Sequence, residues 1–522
     1  MTRSPFVDKR EAAFPWKSEF RNPKSNGWSD IPKSEIRNPM GGPTFLIPNS
    51  EFLIPNSPNG LLSSRLGTAT MTHPFELPTR RDLDAMMRLA LPVVVVQVGM
   101  MLIGVVDTMV VGRLSSEALA AVALGHVMLM AVYSFGIGLL LALDPLVSQA
   151  VGAGDEVAIR RSMQRGMVLA VALMVPSTLI LLPVETLLTI FRQPPETIPL
   201  AAAYVRICIP GLLPFYGFFV LRQSLQAMGR VRPIVITIVV VNLFNLVADW
   251  ALVFGAGPIP QLGPIGSAWA TTAARTLFFV VLMIAARKDL GPFLGRFDRA
   301  VLRLQPLWRM VRLGAPIGFQ VQLEIVAFAV IALLMGGLGT VQMAAHQVTI
   351  NLASLTFMVP LGVSSAAAIL VGRAIGAGDG VGARRAASAG LLIGAGFMSL
   401  MAALFIGAPR ILATAYTSVE EVVVLAAVLI PVAGYFQIFD GLQVVSAGVL
   451  RGAGDTRAPL FVNIIGFWFI GLPTSLVLAF KLGYGPTGLW WGLVVGLGVV
   501  AAFLLTRVAW KFRGQIARIA VE

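Results

Sequence analysis

The chain has 522 residues, of which 56% are hydrophobic and 13% charged, with a formal net charge of +14 and a single cysteine. A soluble domain carries about a quarter charged residues, so this composition excludes a soluble globular protein and reads as a polytopic membrane protein. Cys208 has no partner for an internal disulfide, and the positive charges are scattered over short segments between apolar runs, not gathered into the patch a nucleic acid requires.

Residues 1–70 stand apart. They are polar and internally repetitive: "FLIPNS" occurs at 45–50 and 52–57, and "KSEFRNP" at 17–23 returns as "KSEIRNP" at 33–39. They lack the single apolar core and small-residue cleavage site of a signal peptide. The stretch is expected to be a disordered or non-native extension, with Met71 as the natural start.

Twelve apolar runs of roughly 20 residues or more follow. They fall at 88–112, 118–146, 166–185, 199–226, 233–255, 264–286, 312–337, 342–372, 386–408, 422–449, 459–481 and 485–509. Helices or closed barrels alone satisfy the backbone in lipid. These runs lack the alternation of barrel strands, so they predict helices 1 to 12 of an all-α protein. From Met71 onward, one set of alternate loops and both ends collect 24 Lys and Arg, and the other set has four: Arg113, Arg192, Arg410 and Lys481. This asymmetry predicts cytoplasmic termini and a multi-pass protein of the cytoplasmic membrane.

The runs repeat. "RLALPVVVVQ" from Arg88 matches "RLGAPIGFQV" from Arg312, and an offset of 224 places Pro92 on Pro316, Gly112 on Gly336 and "VGAGD" at 151–155 on "IGAGD" at 375–379. "GPIGSAW" at 263–269 matches "GPTGLWW" at 485–491 with an offset of 222. The reading is two pseudo-symmetric six-helix lobes, 71–290 and 312–522, joined by a basic cytoplasmic linker at 291–311. Two like bundles in parallel orientation give alternating access a mechanical basis.

Acids inside the runs are costly and so are candidate functional groups. Asp107 in helix 1 and Asp249 in helix 5 both fall in the outer half of the membrane. Asn245 lies one turn from Asp249 on the same face, and Thr271 in helix 6 is a weaker addition. Two close carboxylates cannot both ionise easily, so the group suits a proton or a small cation. Glu324 in helix 7 and Asp440 in helix 10 lie nearer mid-membrane, as a second pair. The acids do not follow the repeat: Asp107 maps to Ile331, and Glu324 maps to Met100. A scaffold that is duplicated while its charges are not favours function over inherited structure. Asp144, near the inner end of helix 2, is expected to be solvated, and His346 to be a hydrogen-bonded structural residue. "GAGD" at 152–155, 376–379 and 452–455 has no following Gly-Lys-Ser/Thr and is no phosphate loop. It reads as a glycine ending one helix and an aspartate starting the next.

The chain from about 80 to 510 resembles the multidrug and toxic compound extrusion (MATE) transporters, most closely the bacterial NorM-type branch. The resemblance is carried by "LALPVVVVQVGMMLIGVVDTMVVGRL", "NLVADWALVFG", "LEIVAFAVIALLMGGLG" with "AAHQV", and "FDGLQVVSAGVLRGAGDT". It implies a cation-coupled antiporter that expels small organic, often cationic, compounds in exchange for Na+ or H+. No cofactor beyond that coupling ion is implied, and the expected partners are those substrates and membrane lipids, with the chain a monomer. It implies that Asp107, Asn245 and Asp249 belong to a cation-responsive site, and that Glu324 and Asp440 belong to a cation site of the C-terminal lobe open to Na+. Phe436 departs from the pattern, standing where a tyrosine can serve as a further ligand. The alternatives are a lipid-linked saccharide flippase of the same broad fold and a non-transporting sensor. The first calls for an arginine-lined cavity, for which Arg206, Arg222 and Arg275 are too few. A membrane enzyme would need a nucleophile and base, and the sequence presents no such constellation.

Overall fold

A computed structural model describes residues 75–258, 260–295, 297–514 and 516–519. The extension expected over residues 1–70 and the start expected at Met71 lie outside the described residues. Twelve helices are long and apolar enough to cross a membrane. Helices 1 to 6 are Arg80–Val111, Ser116–Gly152, Glu156–Leu181, Ile198–Ala227, Arg232–Phe254 and Pro264–Ala285. Helices 7 to 12 are Leu304–Leu338, Thr340–Gly376, Gly380–Gly407, Glu420–Gly452, Arg457–Lys481 and Gly485–Lys511. No β-sheet occurs among the described residues.

Helix 3 starts at Glu156 and helix 7 at Leu304, earlier than the apolar runs at 166 and 312. Hydropathy finds the part that suits lipid. The backbone ladder runs on through polar turns that need only good helix formers and a cap. Helix 1 begins on such a cap: Thr79 Oγ1 accepts from the Asp82 N–H at 3.3 Å, and the Thr79 N–H donates back to Asp82 Oδ2 at 2.8 Å. The three GAGD turns use one device. Gly154, Gly378 and Gly454 have φ of +67°, +73° and +77°, a left-handed conformation that favours glycine. Asp155, Asp379 and Asp455 then accept the N–H groups of Ala158, Gly382 and Ala458 at 2.9, 2.8 and 3.4 Å.

Burial follows the repeat. One hydrophobic core is built mainly from helices 1 to 6, with Leu129, Tyr204, Tyr216 and Phe218 among its buried side chains, and it also takes in Met310 of helix 7. The other is built from helices 7 to 12 around Phe405, Phe436, Trp490 and Phe512, and it also takes in Met86, Leu89 and Ala90 of helix 1. The two halves approach closely toward the end of the bundle that carries the basic loops, here termed the basic end. A Cβ on Gly314 would stand 2.1 Å from the Leu139 carbonyl oxygen, and one on Gly376 would stand 2.0 Å from that of Gln149. Hydrogen bonds also cross there: Gln149 Nε2 donates to the Gly452 carbonyl at 2.9 Å, and Arg373 Nη2 to that of Ala227 at 2.7 Å.

Candidate functional site

Helices 1, 5 and 6 bring all four candidates of the first half together. Asp107 and Asp249 each lie within about a turn and a half of their helix ends, remote from the basic end, and both are buried. One amide joins them: Asn245 Nδ2 donates to Asp249 Oδ2 at 2.9 Å and to Asp107 Oδ1 at 3.3 Å. Thr271 Oγ1 donates to the other oxygen of Asp107 at 3.1 Å. Asp249 Oδ1 and Asn245 Oδ1 are buried and meet no donor. The group therefore has unsatisfied acceptors and no ion-paired cation among the described residues. Two bare charges linked by one amide would repel strongly at low dielectric, so the arrangement suits one added positive charge, whether a proton or a metal ion. Asp107 is 4% exposed. It lines a cavity of about 280 Å³ together with Met100, His126, Tyr133, Phe215 and Arg275.

Glu324 and Asp440 share a second cavity of about 500 Å³, whose lining also includes Val127 and Met130 of helix 2, so both halves contribute to its wall. Asp440 is 7% exposed and Glu324 is half-buried on the cavity surface. Among the described residues neither carboxylate has an ion pair. Phe436 packs edge-on against Phe328 and Trp490, with ring centroids 6.0 and 5.7 Å apart, so this position is an apolar ring and brings no hydroxyl to the acids. Carboxylates in an apolar cavity reach a low-energy state by taking up a cation or a proton.

Two expectations are corrected. Asp144 is not solvated: it is fully buried, Gln223 Nε2 donates to its Oδ1 at 2.7 Å, and Arg451 of the other half approaches its Oδ2 at 3.2 Å. His346 is not held by a hydrogen bond at Nδ1, which is buried without a partner; the ring rests on Trp490 and lines the second cavity. His126, Tyr133 and Arg275 also line the first cavity, and the sequence alone does not mark the first two as neighbours of the acid group. Arg275 lies four residues after Thr271 on one helix face, a signal that could have placed it beside Asp107.

Comparison with known proteins follows the same division. A sequence profile of the MatE family matches residues 92–251 and again 316–477, two segments whose starts are separated by the offset of the internal repeat. A protein of Mesorhizobium japonicum described as a probable multidrug resistance protein NorM is 36% identical over 450 residues, 84% of this chain and 95% of its own length. A protein of Deinococcus radiodurans with the same description is 34% identical, covering 84% of this chain and 97% of its own. Among solved structures, the crystal structure of the eukaryotic MATE transporter AtDTX14 superposes with a TM-score of 0.75 at 25% identity, over 83% of this chain and 98% of that one. Twelve helices in two repeated halves, a profile that matches each half and relatives alike over nearly their full length lead to one assignment: the chain belongs to the MatE family of membrane transporters, in its NorM-type branch.

Proposed function

We propose that the chain is a cation-coupled antiporter that exports small organic compounds, often cationic, across the cytoplasmic membrane by alternating access, with Na+ or H+ as coupling ion and both termini cytoplasmic. The observation that supports this best is the pair of buried acid groups, Asp107 with Asp249 and Glu324 with Asp440, each without an ion-paired cation among the described residues and each lining or adjoining a cavity. The description of its relatives as multidrug resistance proteins supports the export of drugs.

The basic end faces the cytoplasm by its loop charges, and the halves are in close contact there. A cation entering from outside binds the acids, neutralises them and lowers the affinity of the Glu324 and Asp440 cavity for a cationic compound, which then leaves outward. Linkage requires the reverse at equilibrium: the compound weakens cation binding by the same factor. The acids hold the coupling charge. The cavities hold the compound. The chain works as a monomer in contact with membrane lipid.

The test is dye efflux from vesicles under separately imposed Na+ and pH gradients. One gradient should drive efflux, and Asp107→Asn and Asp249→Asn should each abolish the driven part at equal membrane abundance, since Asn keeps the shape but not the titratable charge. Efflux indifferent to both gradients, or normal driven efflux by both variants, would overturn the proposal.

A further inference from the structure

The cavity beside Asp107 holds a cation that the acid group does not account for. Arg275 of helix 6 is 5% exposed and lines that cavity. It forms no ion pair among the described residues, and its buried Nη1 meets no hydrogen-bond acceptor. Asp107 lines the same cavity, but its two oxygens accept from Asn245 and Thr271. A charge this deeply buried ordinarily has an anion beside it.

What does hold Arg275 is aromatic. Its guanidinium carbon stands 5.4 Å from the Tyr133 ring centroid and 5.2 Å from that of Phe215. Contact with a ring face engages the π side of the group and not its N–H edge, where Nη1 is left without an acceptor. A planar fork of donors is the natural match for a carboxylate, which it binds through two parallel hydrogen bonds. Phe278 and Met100 complete an apolar wall around it. The cavity offers a positive planar clamp at one point and ring-binding surface around it. At about 280 Å³ it is at the small end of ligand sites, which limits the occupant to one or two rings.

We propose that Arg275 receives the carboxylate of a small aromatic acid carried by this protein, its ring system resting among Tyr133, Phe215 and Phe278. This rests on the transporter reading and narrows it: the first-half cavity selects an anionic head, while the Glu324 and Asp440 cavity suits a cationic one.

The probes are 2-naphthoate, its neutral amide 2-naphthamide, and the cation 2-naphthylmethylammonium. Binding of each is measured by equilibrium dialysis against the full chain in lipid nanodiscs, with no gradient. Naphthoate should bind at least tenfold tighter than the amide and the ammonium compound. Arg275→Gln should erase that preference while leaving the amide within twofold, and Arg275→Lys should keep only part of it, because an ammonium is not a fork. Equal binding of acid and amide by the unmodified chain, no measurable naphthoate binding, or a preference intact in Arg275→Gln would overturn the proposal. Should Arg275→Gln fail to fold, the charge preference of the unmodified chain and Arg275→Lys decide it. These readouts need no coupling ion. Arg275-dependent binding together with dye efflux indifferent to both gradients would sink the antiport reading and leave this site standing; driven dye efflux with no Arg275-dependent binding would do the reverse.

Discussion

Asn245 joins two carboxylates that would otherwise repel, because its one NH2 group carries two donors and each oxygen pair supplies an acceptor. Glu324 and Asp440 have no such bridge, yet they line one cavity. If they share a single cation or proton, removing either should disable the pair. Glu324→Gln and Asp440→Asn should each reduce gradient-driven efflux by about tenfold or more, and the double variant should lose little beyond the worse single, since groups acting as a unit are not additive. Losses that multiply in the double variant would show that the two act separately. These four acids were legible in the sequence because a carboxylate within a long apolar run has few explanations. Asp144 and Arg275 were not. Asp144 sits where a run gives way to a polar loop, and nothing local distinguishes water from a partner on the other half. Arg275 acquires its meaning from Tyr133 and Phe215, which are close only in the fold.

The helices were legible as elements, and their ends were not, because lipid sets the length of an apolar run while caps set the length of a helix. The GAGD turns are the exception: glycine and aspartate state the geometry locally, and all three turns pair a left-handed glycine with a capping aspartate. Asp155 carries the further duty of pairing with Arg518 of the C-terminal tail at 2.9 Å. The Ala158 N–H first, and then Arg518, hold its carboxyl below the usual aspartate range. Asp155→Ala should cost about 1 kcal/mol of stability, the ordinary worth of an N-cap, read as a lower Tm in detergent or nanodiscs. The sign with pH is fixed. The unfolded chain binds this proton more readily, so the contribution is complete above the unfolded pKa of about 3.9 and is lost as pH falls through the lower native value. Comparing Tm at neutral pH and near pH 3 should show the two proteins converging in acid. A difference that persists unchanged would mean the cap acts through something other than its charge.

At the scale of the whole molecule, the 224-residue offset read from matching segments reappears as two cores of one design. The glycine contacts between the cores do follow the repeat, Gly152 against the Arg373 carbonyl and Gly376 against that of Gln149, but the charged fasteners do not, since the offset maps Asp144 to Ala368 and Arg451 to Ala227. The pair of Asp144 with Arg451 is one of them: the two side chains are 0% and 12% exposed and come from opposite halves near the basic end. Removing one member of a buried pair costs about 3–5 kcal/mol, mostly because the other charge is left unpaired. If the halves separate at this end during the transport cycle, both groups meet water in the separated state and the loss there is small. Neutralising one member therefore weakens the closed arrangement relative to the open one. Ser148 reports on this interface: it is fully buried, and its hydroxyl stands 2.0 Å from where a Cβ on Gly372 would be. In a Cys208→Ser, Ser148→Cys background, an impermeant maleimide applied to the basic end should label slowly. Arg451→Gln or Asp144→Asn should raise the labelling rate at least tenfold, equivalent to about 1.4 kcal/mol and well within the cost of the broken pair. Arg451→Lys should raise it less, and the double neutral variant should fall between the singles and the parent, because no charge is then left unpaired. Labelling that is equally slow in every variant would show that Asp144 and Arg451 fill space at this interface without setting how often it opens.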